Sequence, residues 1–240
     1  EYSAQYLGRL TNVKGEEGLQ ALLKKIRNVG YYPYLANEEE IVRVSKDQAA
    51  KDKLFLELAK QTLDEWMTLA AQRYEGRDIE IYVSAGNDDP IGIDKALDSH
   101  QYPTNATDRK VLVKGHWEMI SLPYSNPTPW DTPRECDEET LKTHISSLTA
   151  SVTDMKKAIF NFHVPPAETL LDQAPKLYEN LRASGYEMVS VGSTAIKKAI
   201  LTHQPLLGLH GHIHESRAAQ NIGRTLCLNP GSEYAEGVLR

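Results

Sequence analysis

His210, His212 and His214 fall on alternate positions of the run LLGLHGHIHES (206–216), in a chain that has 8 histidines in 240 residues. In an extended strand, side chains at i and i+2 share a face. Neighbouring imidazoles past a strand end also come within reach of one ion, and neutral imidazole is the commonest protein metal ligand. The chemistry on offer is therefore metal binding, and the search is for partners. Three other stretches qualify: SAGNDDP with Gly86, Asn87 and Asp88, FNFHVPP with His163, and CLNPGS with Asn229 to Ser232. Each pairs an apolar run with a polar loop. Taken singly, they are an ordinary turn, an ordinary histidine and a turn with a phosphate-friendly backbone.

The elements that must position these residues follow from patterning. Positions 16–28 carry Leu19, Leu22, Leu23 and Ile26 at helical spacing, stopped by Gly30. Positions 31–35 read as a short extended piece, and 37–40 as a helix start. A long helix is expected over 46–74, with Leu56, Ala59, Leu63, Trp66, Met67, Ala70 and Tyr74 as its core stripe. Ile79, Ile81 and Val83 alternate with polar residues and predict a strand that runs into the Asn87 turn. Positions 110–122 predict a hairpin around Gly115. The four prolines of 123–133 exclude a regular element, leaving either a lid around Trp130 or a rigid surface loop. Helices are expected over 135–148, 174–183 and 193–202, the second stopped at Gly185. Strands are expected before His163, before His210 and before Asn229. Strands separated by helices imply a layered α/β fold, in which ligands collect beyond the carboxyl ends of strands. A single domain over 1–240 is expected, with 1–76 a mainly helical lead-in and 77–240 the α/β body.

The order GN-D (Gly86, Asn87, Asp88), F-H-V-P-P (His163), G-H-x-H (Gly211 to His214) and N-P-G-S (Asn229 to Ser232) resembles the calcineurin-like metallophosphoesterase superfamily. The GNDD form, with VGSTAI (191–196) and GLHGHIHES, is similar to its Icc-related phosphoesterase subgroup. The resemblance runs from about Ile79 to the end of the chain. It implies a four-layer αββα sandwich and two divalent ions, Mn, Fe or Zn, that activate a water against a phosphate ester. Carried over, Asn87, His163 and His212 hold one ion and His214 the other, with Asn87, Asp88 and His163 forming the catalytic group. His210 is a candidate for contacts around the site. Gly192 and Ser193, just before a helix, either offer N–H groups to an anionic substrate or merely cap that helix.

Two departures matter. The family's D-x-H and G-D, which precede GN and complete the two-ion site, are absent. The D-x-H at Asp98-Ser99-His100 comes after GN, in a polar stretch, and reads as coincidence. The sandwich is thus expected to lack its first strands, and the ligands present suffice for as few as one ion. Glu1 in place of Met fits an upstream segment. Second, Asp88 stands where GNH has a histidine, and it either serves the site or caps the turn before Pro90. A carboxyl group is a poor proton donor near pH 7, which favours substrates with good leaving groups.

The expected function is a phosphoesterase acting on a small phosphomonoester or phosphodiester. The alternative is a metal- or nucleotide-binding regulatory protein without turnover. A net charge of −6 argues against general nucleic-acid binding. No apolar run is long enough to span a bilayer. The two distant cysteines, Cys136 and Cys227, make no disulfide framework, so a cytoplasmic setting is the simplest. His116, His144 and His203 have no comparable context and stay unassigned.

Overall fold

The computed structural model describes residues 1–177 and 183–232. The chain divides into two compact units, Glu1–Leu63 and Asp64–Ser232, with the division inside a helix.

The first unit opens with a hairpin that the sequence reading missed. Strands β1 (Tyr2–Tyr6) and β2 (Arg9–Val13) pair antiparallel. Leu7 and Gly8 turn between them at φ 49° and 71°, the left-handed pair that a two-residue hairpin needs. Helix α1 (Gly15–Asn28) buries Leu19, Leu22 and Ile26, as the spacing predicted. The helix start expected over 37–40 opens α2 (Glu38–Lys46), and the long helix expected over 46–74 is α3 (Gln48–Tyr74). Asp47 divides them, because its carboxylate accepts the Ala50 N–H at 3.1 Å and starts a new helix. Asn37 caps α2 in the same way. The α3 stripe is narrower than expected: Met67 is buried while Trp66 is 63% exposed, one residue being a turn of ~100° around the helix.

The second unit is built on a six-stranded mixed sheet. Strand β3 (Tyr82–Val83) is shorter than predicted. Its N-terminal neighbours are outside any strand. Helix α4 (Asp94–Asp98) follows, then β4 (Thr104–Asn105), which pairs parallel with β3. The predicted hairpin is β5 (Lys110–Val113) and β6 (Trp117–Leu122). Next come α5 (Glu138–Ala150) and β7 (Ile159–Phe162).

The helix expected over 174–183 is not there. Strands β8 (Gln173–Leu177) and β9 (Ala183–Ser190) pair antiparallel instead, and residues 178–182 of that expectation lie outside the described residues. Pro175, at the second position of that stretch, would not by itself bar a helix; pairing with β9 overrides the helical spacing of the leucines. Gly185 sits within a strand and stops nothing. Helix α6 (Thr194–His203) and strands β10 (Leu207–Leu209), β11 (Ala218–Ile222) and β12 (Thr225–Asn229) complete the unit. Strand β11 was not foreseen. It folds back on β12 through Gly223.

The sheet order is β11-β12-β10-β7-β6-β5. Strands β6, β7, β10 and β12 run parallel, so their carboxyl ends share one edge. Period-2 alternation sorts the faces. Ile120, Leu122, Phe160 and Phe162 join Leu141, Ile145, Ile196 and Ile200 of α5 and α6 in the main core. Met119 and Ile159 face the other way, where Tyr82 of β3 and Ala106 beside β4 pack on them. The observed fold is thus mixed α/β, with helices on one face of the sheet and a small parallel strand pair on the other.

Candidate metal centre

Each predicted motif follows a strand. Asn87 comes four residues after β3, His163 directly after β7, His210 directly after β10, and Asn229 ends β12. The parallel run of β7, β10 and β12 brings the last three to one edge. Backbone bonds lock the neighbours together: Gly211 N–H donates to the His163 carbonyl at 2.9 Å, and His210 N–H to that of Leu228 at 2.8 Å.

Three polar groups converge there. His163 Nε2 lies 2.9 Å and His212 Nδ1 3.0 Å from Asn87 Oδ1. The two rings have centroids 5.2 Å apart. An amide oxygen only accepts, so both facing nitrogens carry the proton when no ion is bound. Burial, and then the charges of neighbouring histidines, push the His163 pKa down to about 3 and that of His212 to about 4. Both rings are therefore neutral near pH 7, the form that binds metals. His214, exposed, is near enough to bear on both.

Local backbone serves this convergence. Gly86 has no room for a side chain: a Cβ would stand 2.8 Å from His163 Cε1 and 2.9 Å from Nε2. His212 has φ 63°, a left-handed conformation that costs a non-glycine residue about 1–2 kcal/mol. Such strain persists where the surroundings impose it.

The donor set suits a divalent transition metal: two imidazoles and an amide oxygen are ligands for Mn, Fe or Zn. Among the described residues no three His, Cys, Asp or Glu side chains form a group that could hold a metal ion. The convergence is of two histidines with an asparagine.

Other predicted residues take different places. Asp88 is exposed and accepts from Asn87 Nδ2 at 3.2 Å. The turn is closed by Asp89, whose Oδ2 accepts the Gly86 N–H at 2.8 Å. His210 does not face a substrate. It is buried, and its Nδ1 lies 2.9 Å and 3.2 Å from the carbonyls of Phe162 and Val164, which flank His163. It clamps the strand end that carries His163.

Of the two readings of Gly192 and Ser193, the structure shows the helix cap and not an open anion site. Gly192 N–H donates to Asp172 Oδ2 and Ser193 N–H to the Pro165 carbonyl. The Ser193 hydroxyl accepts from Ile196 N–H and donates to Glu138. Thr194 and Ala195 N–H also donate to Glu138. The anion at this helix start is the protein's own. Asn229 binds the carbonyls of Leu171, Gly211 and Ile213 through Nδ2 and so fixes the His212 loop. Asp98 is held by Arg109 and Asn105, and His100 by Asp64, which fits coincidence for that D-x-H.

The sequence reading missed Arg134, Thr132 and Glu135. Arg134 is 1% exposed. Its guanidinium donates to the carbonyls of Asp89 and Pro90 and pairs with Asp94, and its N–H donates to the Asn87 carbonyl. The proline-bearing stretch is thus a brace for the Asn87 loop. Its only sequence sign is an arginine that closes an otherwise nearly uncharged run.

No family model matches the chain. Over 125 residues it is 30% identical to the uncharacterized protein MJ1162 of Methanocaldococcus jannaschii, a match covering 51% of this chain and 52% of that protein. The chain thus spans about half the length of the curated relative it matches. A crystal structure 16% identical superposes with a TM-score of 0.55 over 81% of this chain and 74% of the other. The crystal structure of TT1561 of Thermus thermophilus is 15% identical, with a TM-score of 0.50 over 74% of this chain and 72% of that one. At such identities the likeness is one of fold.

Proposed function

We propose that the chain carries one half of a calcineurin-like, Icc-related metallophosphoesterase site and acts on a small phosphomonoester or phosphodiester. The observation that carries the reading is the convergence of His163 Nε2 and His212 Nδ1 on Asn87 Oδ1. The αββα sandwich belongs to the same proposal. Its support is the sheet with α5 and α6 on one face and the β3–β4 pair on the other. A divalent ion held there would polarise a phosphoryl oxygen and lower the pKa of bound water. Asn87, His163 and His212 would hold and orient it, and the half-buried rings keep their metal-binding neutral form. His214 is offered to the second ion. Asp88, hydrogen-bonded to the Asn87 amide nitrogen, is the proton carrier beside the site, and esters with good leaving groups suit it best. Among the described residues no helix is long and apolar enough to cross a membrane, and a cytoplasmic setting fits two free cysteines.

A second reading, metal or nucleotide binding without turnover, draws on one observation. Asp98 and His100 are engaged by Arg109 and Asp64, which leaves that D-x-H unsuited to a second ion. The test is Mn²⁺-dependent hydrolysis of an activated aryl phosphate, with metal content measured alongside, in the wild type and in His212→Ala. Turnover that the substitution removes supports the enzyme. Metal uptake without turnover favours the binding protein. Turnover unchanged in His212→Ala overturns the assignment.

A further inference from the structure

We infer that Thr132 and Glu135 form a polarity relay that holds the Asn87 amide with its oxygen toward His163 and His212, and that this relay sets the affinity of the three-residue set for a divalent cation. The inference rests on the metal reading above.

An asparagine amide has two ends of nearly equal shape and opposite hydrogen-bonding sense. Only the oxygen can ligate a cation, and a turned amide would present two N–H donors to it. Something must therefore choose the end. The choice is legible in a chain of bonds. The Glu135 carboxylate only accepts. Its Oε1 takes the Thr132 hydroxyl at 2.7 Å and the Thr132 N–H at 3.0 Å. A hydroxyl has one proton, so Thr132 Oγ1, having donated it to Glu135, faces Asn87 as an acceptor. Asn87 Nδ2 lies 2.9 Å from that oxygen, which places Oδ1 on the far side, toward the rings. Asp88 Oδ1, at 3.2 Å from the same nitrogen, is a second acceptor with the same sense.

Glu135 is itself held in the acceptor state. Burial pushes its carboxyl up, but bonds from the hydroxyls and N–H groups of Thr128 and Thr132 outweigh this and hold it below the usual range. Asn87 is 6% exposed, so water has little access to restore a turned amide. Thr132 and Glu135 are positioning residues, acting on the ion only through Asn87.

Mn²⁺ titration of the whole chain, followed by calorimetry, tests this in the wild type, Asn87→Ala, Thr132→Val, Thr132→Ser and Glu135→Gln. Thr132→Val keeps the shape and loses the acceptor, so Mn²⁺ affinity should fall by about tenfold or more, the usual scale for a residue that orients a ligand. Thr132→Ser should restore it to near wild type. Glu135→Gln can donate to Thr132 and let its hydroxyl turn toward Asn87, so an almost isosteric change should also weaken the ion. A merely structural role would move thermal stability in step with affinity and would give no serine rescue. Loss of binding in Asn87→Ala with wild-type affinity in both Thr132→Val and Glu135→Gln overturns the relay and spares the metal reading. If the wild type takes up no Mn²⁺, the metal reading fails. The relay is then judged by hydrogen exchange of the Asn87 side-chain amide, which Thr132→Val must accelerate and Thr132→Ser must not.

Discussion

Two loops of the second unit look alike in sequence and have opposite fates. Both are short, polar, glycine-containing turns beyond a strand: 86–89 after β3 and 191–194 after β9. In the second, buried Asp172 and the α5 residue Glu138 take the hydroxyl of Ser193 and the N–H groups of Gly192, Thr194 and Ala195. The loop is closed by its own protein. In the first, the backbone is also tied down, by Asp89 and Arg134, but the Asn87 side chain is turned toward two histidine rings. Strand-end placement makes a loop a candidate. What separates a cap from a site is whether a carboxylate from elsewhere in the chain has already filled it.

The largest expected effect comes from breaking the closed loop. Asp172 is fully buried and accepts N–H bonds from Glu168, Thr169 and Gly192, the Ser190 hydroxyl and the Gln173 amide. Asp172→Ala leaves the Thr169 and Gly192 N–H groups without an acceptor, while Glu168 N–H and the Gln173 amide keep Ser190 Oγ and the Thr169 carbonyl, and each buried orphan costs about 1–3 kcal/mol. Urea unfolding should show a loss of about 3 kcal/mol or more. A loss no larger than that of an exposed aspartate would mean that water replaces the carboxylate and that the loop is not closed as described.

The same contrast explains what was legible in the sequence. His163, His212 and Asn87 were found because each follows an apolar run, a local pattern. Local pattern could not choose between an anion site and a cap at Gly192 and Ser193, because their partners, Asp172 and Glu138, lie 20 and 55 residues away. Thr132, Arg134 and Glu135 were missed for the same reason: only the fold brings them to Asn87. The β8–β9 hairpin was read as a helix, since leucine and alanine spacing is local while strand pairing is not. The β1–β2 hairpin was overlooked because its turn uses Leu7 at positive φ, where glycine or asparagine is the usual signal.

Acid should separate the two regions next. His210 is buried behind the open loop, and burial pushes its pKa from 6.5 down to about 4. The unfolded chain then takes up the proton first. Stability contributed by the neutral ring is complete above about 6.5 and drains away as pH falls toward about 4. The slope is about 1.4 kcal/mol per pH unit for one such histidine. In His210→Gln the unfolding free energy should depend on pH less steeply by that amount across this window. An unchanged slope would mean that His210 is not a source of the acid sensitivity.

A smaller change should strike the open loop without unfolding it. Gly86→Ala puts a methyl where the His163 ring stands, with contacts of 2.8 Å and 2.9 Å that the ring must relieve by moving. Mn²⁺ affinity should fall about tenfold, as for other changes that turn a ligand. The thermal midpoint should hardly move, because the ring lies at the rim and the main core is untouched. Retained affinity would show that His163 need not point at Asn87 for the ion to bind.

The smallest effect is expected at Asp98 and His100, and it bears on whether the open loop is alone. Their D-x-H spacing matches a metal motif, yet each side chain already has partners. Asp98 Oδ1 lies 2.9 Å from Arg109 Nη1, in a pair with side chains 49% and 43% exposed, and it accepts from Asn105. Bonds from Arg109 and Asn105 hold the Asp98 carboxyl below its usual range. His100 Nε2 lies 2.9 Å from Asp64. A pair as exposed as Asp98–Arg109 contributes about 0–1 kcal/mol after solvent screening. Asp98→Asn should therefore change unfolding free energy by less than about 1 kcal/mol, and combined with His100→Ala, whose 16% exposed ring adds a packing cost of its own, it should leave the number of bound Mn²⁺ ions unaltered. Fewer ions bound by the double variant would make these residues ligands after all. The resemblance between D-x-H here and the motif that should precede Asn87 would then be functional, and the site would extend to a part of the chain that the geometry keeps separate from it.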